Sequence, residues 1–201
     1  MVPEPVRENN FVVRRVGPGQ PGAADGDRNT ALASDNFFAA ALLTLWHRVS
    51  QAGGSVGYLP TATRQEIAPA AAAAVDEIRA GKRKALVFTQ HTDIAKDQLI
   101  ACAFLVPATI ALHSHRAEVR TVIVDPDHQG RGLGRALLGE VDKYASELGI
   151  DTLTLSVRGG RGLEKFYEGI GFTEYGRLPD SIRLSPTDSR EEIFYWRSVG
   201  P

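Results

Sequence analysis

A single cysteine, Cys102, leaves no partner for a disulfide within the chain and fits a reducing, cytoplasmic setting. It lies in the apolar run 99–106 and reads as a buried strand residue rather than a reactive thiol. Neither sign of charge dominates: 23 Lys and Arg stand against 24 Asp and Glu, for a formal net charge of -1. That balance gives no electrostatic footprint for nucleic acid or an anionic membrane. No apolar stretch is long enough to span a bilayer, and no signal-peptide pattern opens the sequence. The Walker ending Gly-Lys-Ser/Thr is also missing, which argues against a nucleoside triphosphate held with magnesium.

What is present suits one well-buried core. The chain has 201 residues, 43% of them hydrophobic and 23% charged. Residues 1–10 read as a frayed terminus and Phe11 to Val16 as a strand. Gly17-Pro-Gly-Gln-Pro-Gly22 fits the dinucleotide expression Gly-x-Gly-x-x-Gly, but Pro18, Pro21 and the loop sequence that follows exclude the helix this motif needs. Residues 1–35 are therefore expected to hold a strand and a flexible loop, with one domain over 36–201. Ser34-Asp35 can cap a helix with the apolar face Phe38, Leu42, Leu45 and Val49. Thr63-Arg-Gln-Glu66 has capping-box spacing for a second helix, expected to break or kink at Pro69. Residues 84–91 and 98–106 form an expected hairpin. His113 and His115, two apart without a third ligand, read as a polar loop, not a metal site.

The most informative stretch runs from Glu118 to Leu138. Val119, Val122, Ile123 and Val124 mark a strand, Asp125-Pro126-Asp127 stops it, and apolar positions at 133, 137, 138, 141, 144 and 148 form a helix face. Between them lies Gln129-Gly130-Arg131-Gly132-Leu133-Gly134. Glycines let the backbone approach a ligand, and the first N–H groups of the helix, with its dipole, suit a phosphate or pyrophosphate. A tight, closely packed strand-to-helix turn is the alternative. After it come a strand over 151–157, a short helix over 163–170, another strand from Gly171-Phe172, and a last strand over 192–199.

The spacing Gln129-x-x-Gly132-x-Gly134 resembles the acetyl-coenzyme A loop of the GNAT acetyltransferase superfamily, usually Arg/Gln-x-x-Gly-x-Gly/Ala. Glu164-Lys-Phe-Tyr167-Glu-Gly-Ile-Gly171-Phe172 resembles its second signature, a tyrosine ahead of a Gly-Phe pair, in the family's order and spacing. Within the superfamily, Gly53–Tyr58, Arg116–Val119 and Gly176–Pro179 resemble the tabtoxin resistance group. The resemblance implies an α/β (α+β) fold with a mixed, mostly antiparallel twisted sheet, flanked by helices and splayed between its fourth and fifth strands. It further implies acetyl-CoA as cosubstrate, no metal, a small-molecule amine acceptor, and a homodimer as one available assembly.

The same resemblance supplies the expected site. Pantetheine would pair near Val122 and Val124, and the amides of Gln129, Gly130, Arg131, Gly132, Leu133, Gly134 and Arg135 would hold the pyrophosphate. Gln129 replaces the commoner arginine and removes one positive charge. Tyr167 corresponds to the usual general acid, and the N–H of Val124, beside the family's strand bulge, to the oxyanion donor. Glu118 is the candidate base, with a salt bridge to Arg116 or Arg120 as its alternative role. Phe37, Tyr58, Ser156 and Arg158 are candidate substrate contacts. Ser156 stands where the tabtoxin resistance group has an aspartate, so a second carboxylate is expected to be missing. The acceptor could be an amino-acid-like antibiotic, or else a peptide or protein amine; a non-catalytic acetyl-CoA-binding module is the further alternative.

Overall fold

A computed structural model describes residues 11–16, 36–90 and 98–200. The readings for residues 1–10, for the loop from Gly17 to Gly22 and for the Ser34-Asp35 cap lie outside them. The elements are β1 (Phe11–Val16), α1 (Asn36–Gln51), α2 (Arg64–Arg79), β2 (Lys84–Gln90), β3 (Gln98–Pro107), β4 (Arg116–Val124), α3 (Leu133–Glu147), β5 (Thr152–Arg158), α4 (Leu163–Glu168), β6 (Thr173–Ser185) and β7 (Asp188–Ser198). The seven strands form one sheet in the order β1-β2-β3-β4-β5-β7-β6. Every neighbouring pair is antiparallel except β4 and β5, which are parallel.

Helices cover both faces, so the central strands are apolar on both sides, as β2 and β3 show. On one face Phe38, Leu42, Leu45 and Val49 of α1 pack with Ile67 and Val75 of α2 against Val87, Cys102, Phe104 and Ile123. On the other, Leu137, Leu138, Val141 and Ala145 of α3 pack against Ile100, Ala103, Val119 and Leu155. Leu148, expected on that helix face, is 39% exposed at the C-cap, because Tyr144 and Ala145 already complete the buried stripe. Thr63 and Glu66 form the expected capping box of α2. The helix then runs unbroken through Pro69, which lies on its exposed side. A proline this near the start loses one helical bond, and the five buried residues of α2 hold the rest in register.

Two features of β4 position the site. Its pairing with β5 joins Arg116, Ala117 and Glu118 to Thr152, Leu153 and Thr154 and goes no further, so the strands part beyond Glu118. Against β3, the register steps from Phe104–Arg120 to Cys102–Ile123, which sets Thr121 and Val122 opposite one residue. This bulge holds Thr121 at φ 53°, left-handed backbone for a β-branched residue. The extra residue changes which side chains share a face. Ala117 and Val119 pack toward α3, and beyond the bulge Val122 and Val124 do so too, while Ile123 joins the α1 side.

Candidate active site

The site is a cleft of about 1030 Å³ where β4 and β5 part. Its α3 side is built by the loop after β4. Gly130 and Gly132 take φ values of 74° and 79°, and Gly132 forms the N-cap of α3 without a side-chain hydrogen bond. Ala136 N–H makes the first helical bond, to Gly132 O at 3.0 Å, which leaves the amides of Leu133, Gly134 and Arg135 without helical acceptors. The first turn of α3 carries no acid. A Cβ on Gly134 would stand 3.4 Å from the Phe166 ring, so glycine lets α3 and α4 approach closely. Gln129, Gly130, Gly132, Leu133, Gly134 and Arg135 line the cleft, whereas Arg131 is exposed outside its lining. The Arg135 guanidinium donates to Gly169 O at 3.2 Å, which ties the start of α3 to the end of α4.

The strand edge is similarly arranged. Asp125 N–H donates to Ile100 O at 2.8 Å while Val124 stands opposite Ala101. In an antiparallel ladder that geometry turns the N–H and C=O of Val124 away from β3, into the gap. Gln129 Nε2 donates to that carbonyl at 3.0 Å. The bulge expected near Val124 lies at Thr121 and Val122, where β3 opposes the pair with one residue.

Tyr167, on α4, is 6% exposed and lines the same cleft from the α3 side. Its ring meets Phe166 and Phe172 edge-on, at centroid separations of 5.0 and 5.8 Å, which fixes where the hydroxyl can point. Burial pushes its phenol well above the usual tyrosine range, so it keeps its proton.

The opposite side of the cleft carries charge. Glu118, Arg120, Ser156, Arg158 and Glu192 alternate with residues packed toward α3, so they face the α1 side. Glu118 accepts from Arg120 Nη2 at 2.6 Å, which makes its salt bridge a fact and identifies Arg120, not Arg116, as the partner. The expected lack of a second carboxylate is corrected by Glu192. Its Oε1 accepts from Ser156 Oγ at 2.6 Å and its Oε2 from Ser181 Oγ at 3.1 Å. The register of β5 on β7 brings it there, a pairing that no local spacing announces.

The loop after α1 closes this side. Trp46 Nε1 donates to Val56 O and Ser50 Oγ to Leu59 O, both at 2.9 Å, and Tyr58 packs edge-on against Trp46. A Cβ on Gly54 would come within 2.6 Å of Val49 Cγ1, so the turn needs glycine. Arg158 Nη2 donates to Gly53 O at 3.2 Å. Phe37 lies in the first turn of α1; its side chain is outside the described part.

Below the cleft, Asp125 is 1% exposed, where the sequence suggested only a strand stop. Arg48 Nε donates to it at 2.7 Å, Asp127 N–H at 3.0 Å, and His128 Nδ1 lies 3.3 Å away. Burial alone would raise its pKa, but these partners hold the carboxyl below its ordinary value. His128 Nε2 reaches Gln90 Oε1 at 3.0 Å, which ties the loop after β4 to β2 as well as to α1. Among the described residues no three His, Cys, Asp or Glu side chains are grouped to hold a metal.

This loop, parted strand pair and tyrosine-bearing helix fall within residues 83–174, which match the family model described as the acetyltransferase (GNAT) domain. Residues 83–174, slightly under half of the chain, are thus similar to a GNAT acetyltransferase domain. Escherichia coli [ribosomal protein bS18]-alanine N-acetyltransferase is 41% identical over 80 residues, 38% of this chain and 51% of that protein. Mycothiol acetyltransferase of Propionibacterium freudenreichii is 41% identical over 69 residues, 32% of this chain and 22% of that protein. The chain thus spans about half or less of the length of these relatives. A Salmonella typhimurium structure with its cofactor acetyl-CoA matches 96% of both chains at a TM-score of 0.64 and 15% identity, a likeness of fold. The GNAT fold of a mostly antiparallel seven-stranded sheet flanked by helices is therefore shared along nearly the whole chain.

Proposed function

We propose that this protein is an acetyl-CoA-dependent N-acetyltransferase acting on the primary amine of a small molecule. The observation that carries this reading is one cleft with free amides on one side and paired carboxylates on the other, joined through the gap between β4 and β5. The residues present fit acetyl-CoA. Of the amides from Gln129 to Arg135, that of Gln129 donates to Pro126 O at 3.4 Å and the later ones suit the pyrophosphate, while the gap-facing N–H and C=O of Val124 suit the amide groups of its arm once Gln129 Nε2 yields. Bound, acetyl-CoA would supply an acyl group activated as a thioester.

The chain's own groups divide the remaining work. Glu118 takes the proton that the acceptor ammonium must shed, directly or through a water, while Arg120 fixes its carboxylate. Val124 N–H, facing the gap, is placed to donate to a developing oxyanion. Tyr167 holds a proton on the α3 side for the departing sulfur. Acid and base thus lie on opposite sides of the sheet, matching reactants that enter from opposite faces. Phe37, Tyr58, Ser156 and Arg158 are the proposed acceptor contacts.

The finer reading keeps the subgroup resemblance at Gly53–Tyr58, Arg116–Val119 and Gly176–Pro179, and with it an amino-acid-like antibiotic or toxin as acceptor, resistance as the role, and the cytoplasm as the setting. It also keeps residues 1–35 as a strand and loop ahead of an acetyltransferase domain at 36–201, and a homodimer as the assembly. A second reading, acetylation of a peptide amine, draws on the relative that acts on ribosomal protein bS18-alanine. Steady-state acetylation across free amino acids, polyamines, aminoglycosides and short peptides tests both. Turnover of a small amine, lowered about a hundredfold by Glu118→Gln with acetyl-CoA affinity kept, supports the first. Turnover of peptides alone supports the second, and acetyl-CoA binding without any turnover contradicts both.

A further inference from the structure

We propose that the acceptor carries an anionic group beside its amine, with Arg158, Arg161 and Arg183 receiving the anion and Glu192 the ammonium. The proposal rests on the N-acetyltransferase reading and names its substrate class, a zwitterion such as an α-amino acid or a close analogue with another oxyanion.

Its basis is an unbalanced charge count on the α1 side of the cleft. Glu118 there is matched by Arg120. Arg158, Arg161 and Arg183 all line the cleft, and among the described residues none of them reaches a carboxylate. Arg158 donates to a backbone carbonyl, Gly53 O. Arg161 comes to the same glycine, with both terminal nitrogens 3.6 Å from where a Gly53 Cβ would stand. Two guanidinium groups therefore converge on one turn without an anion between them. Burial, and then the positive charges of Arg161 and Arg190, outweigh the carboxylate of Asp188 and lower the pKa of Arg158. A planar guanidinium answers a carboxylate or phosphorus oxyanion with two parallel hydrogen bonds, which makes such a cluster selective as well as attractive.

Glu192 shows the reverse imbalance. Two serine hydroxyls hold its oxygens and no cation pairs with it among the described residues. The hydroxyls orient the carboxylate and leave its charge for an incoming ammonium. An amine without an anionic group would answer Glu192 alone and leave the arginines unpaired in a cleft that must shed water to react, and unpaired charges there are costly. A zwitterion answers both at once. The basic set also lies away from the proposed pyrophosphate site. It gathers at the loop after α1 and at the β6–β7 hairpin, while α3 packs on the other face.

The test compares each α-amino acid with its carboxamide, alongside aminoalkyl phosphonates and short neutral peptides, in steady-state acetylation by the full chain. At least one acid or phosphonate is expected to exceed its counterpart without the anionic group in kcat/KM by about tenfold or more, the size of a charge-assisted contact. Arg161→Gln with Arg183→Gln should bring that ratio toward one and leave the Kd for acetyl-CoA in place. Carboxamides accepted as well as acids, or a preference that survives the double substitution, would overturn the proposal. A parallel acetyl-CoA titration separates the levels: absent binding refutes the acetyltransferase reading itself, whereas binding with turnover only of amines that lack an anionic group refutes only the zwitterion.

Discussion

The two sides of the cleft differ in how they are made. On the α3 side one continuous stretch, from Val122 to Arg135, supplies strand edge, turn and helix start, and its groups are backbone amides. On the α1 side Tyr58 from the loop after α1, Glu118 from β4, Ser156 and Arg158 from β5 and Glu192 from β7 line the cleft with side chains instead. The first needs only local geometry, positive φ at Gly130 and Gly132 and an uncapped helix end. The second exists only once β5 pairs with β7 and the loop after α1 folds back over it. A ligand on the α3 side can be held by one portable segment, whereas the α1 side can change residue by residue without disturbing it.

That contrast can be broken most sharply at Tyr167, a side chain on the α3 side. Tyr167→Phe keeps the aromatic packing and removes only the hydroxyl, so kcat should fall about a thousandfold with the acetyl-CoA Kd and Tm nearly unchanged. An unchanged kcat would remove the acid from the account. Next in size is the pair that anchors the loop beneath both sides. Arg48→Ala strands the buried Asp125 carboxylate and should cost about 3 kcal/mol, seen as a Tm lower by roughly 6–12 °C. The pH dependence fixes the sign. Because the folded-state pKa of Asp125 is lowered, its stabilisation is full above the ordinary carboxylate value and lost as pH falls through the lowered one. The wild type should therefore lose stability on acidification below about pH 5 more steeply than the variant, as urea titrations at stepped pH would show.

Two smaller changes separate backbone from side chain on the α3 side. Gly132→Val forces a β-branched residue into left-handed backbone, at a cost of about 2 kcal/mol, or roughly thirtyfold in the acetyl-CoA Kd. A Kd unmoved by this change would show that the turn does not hold the anion. Arg131→Ala removes an exposed side chain outside the cleft and keeps its amide, so the Kd should shift by less than about threefold, as for an exposed charge. A tenfold loss would give the α3 side a side-chain contact and blur the contrast with its opposite.

The same contrast explains what was legible in the sequence. The glycine spacing at 130, 132 and 134, the apolar stripe of α1 and the capping box at Thr63 are local patterns, and the structure contains each. The parting of β4 and β5 followed from resemblance rather than from any residue, because strand separation has no local signature. Glu192 and the Arg48–Asp125 pair escaped notice for a physical reason. Each joins residues that are tens of positions apart, through strand register or helix docking that is decided by the whole core. Pro69 misled in the other direction, since a local helix breaker was outweighed by the burial of Ile67, Ala71, Ala74, Val75 and Ile78.

The central claim is that the amides between Gln129 and Arg135 bind a pyrophosphate while the attached thioester reaches the gap beside Val124. Isothermal titration of the full chain with acetyl-CoA tests it directly. Saturable one-to-one binding, competed by coenzyme A and weakened in Gly132→Val, is the predicted result; no heat and no thermal shift at millimolar acetyl-CoA would contradict it.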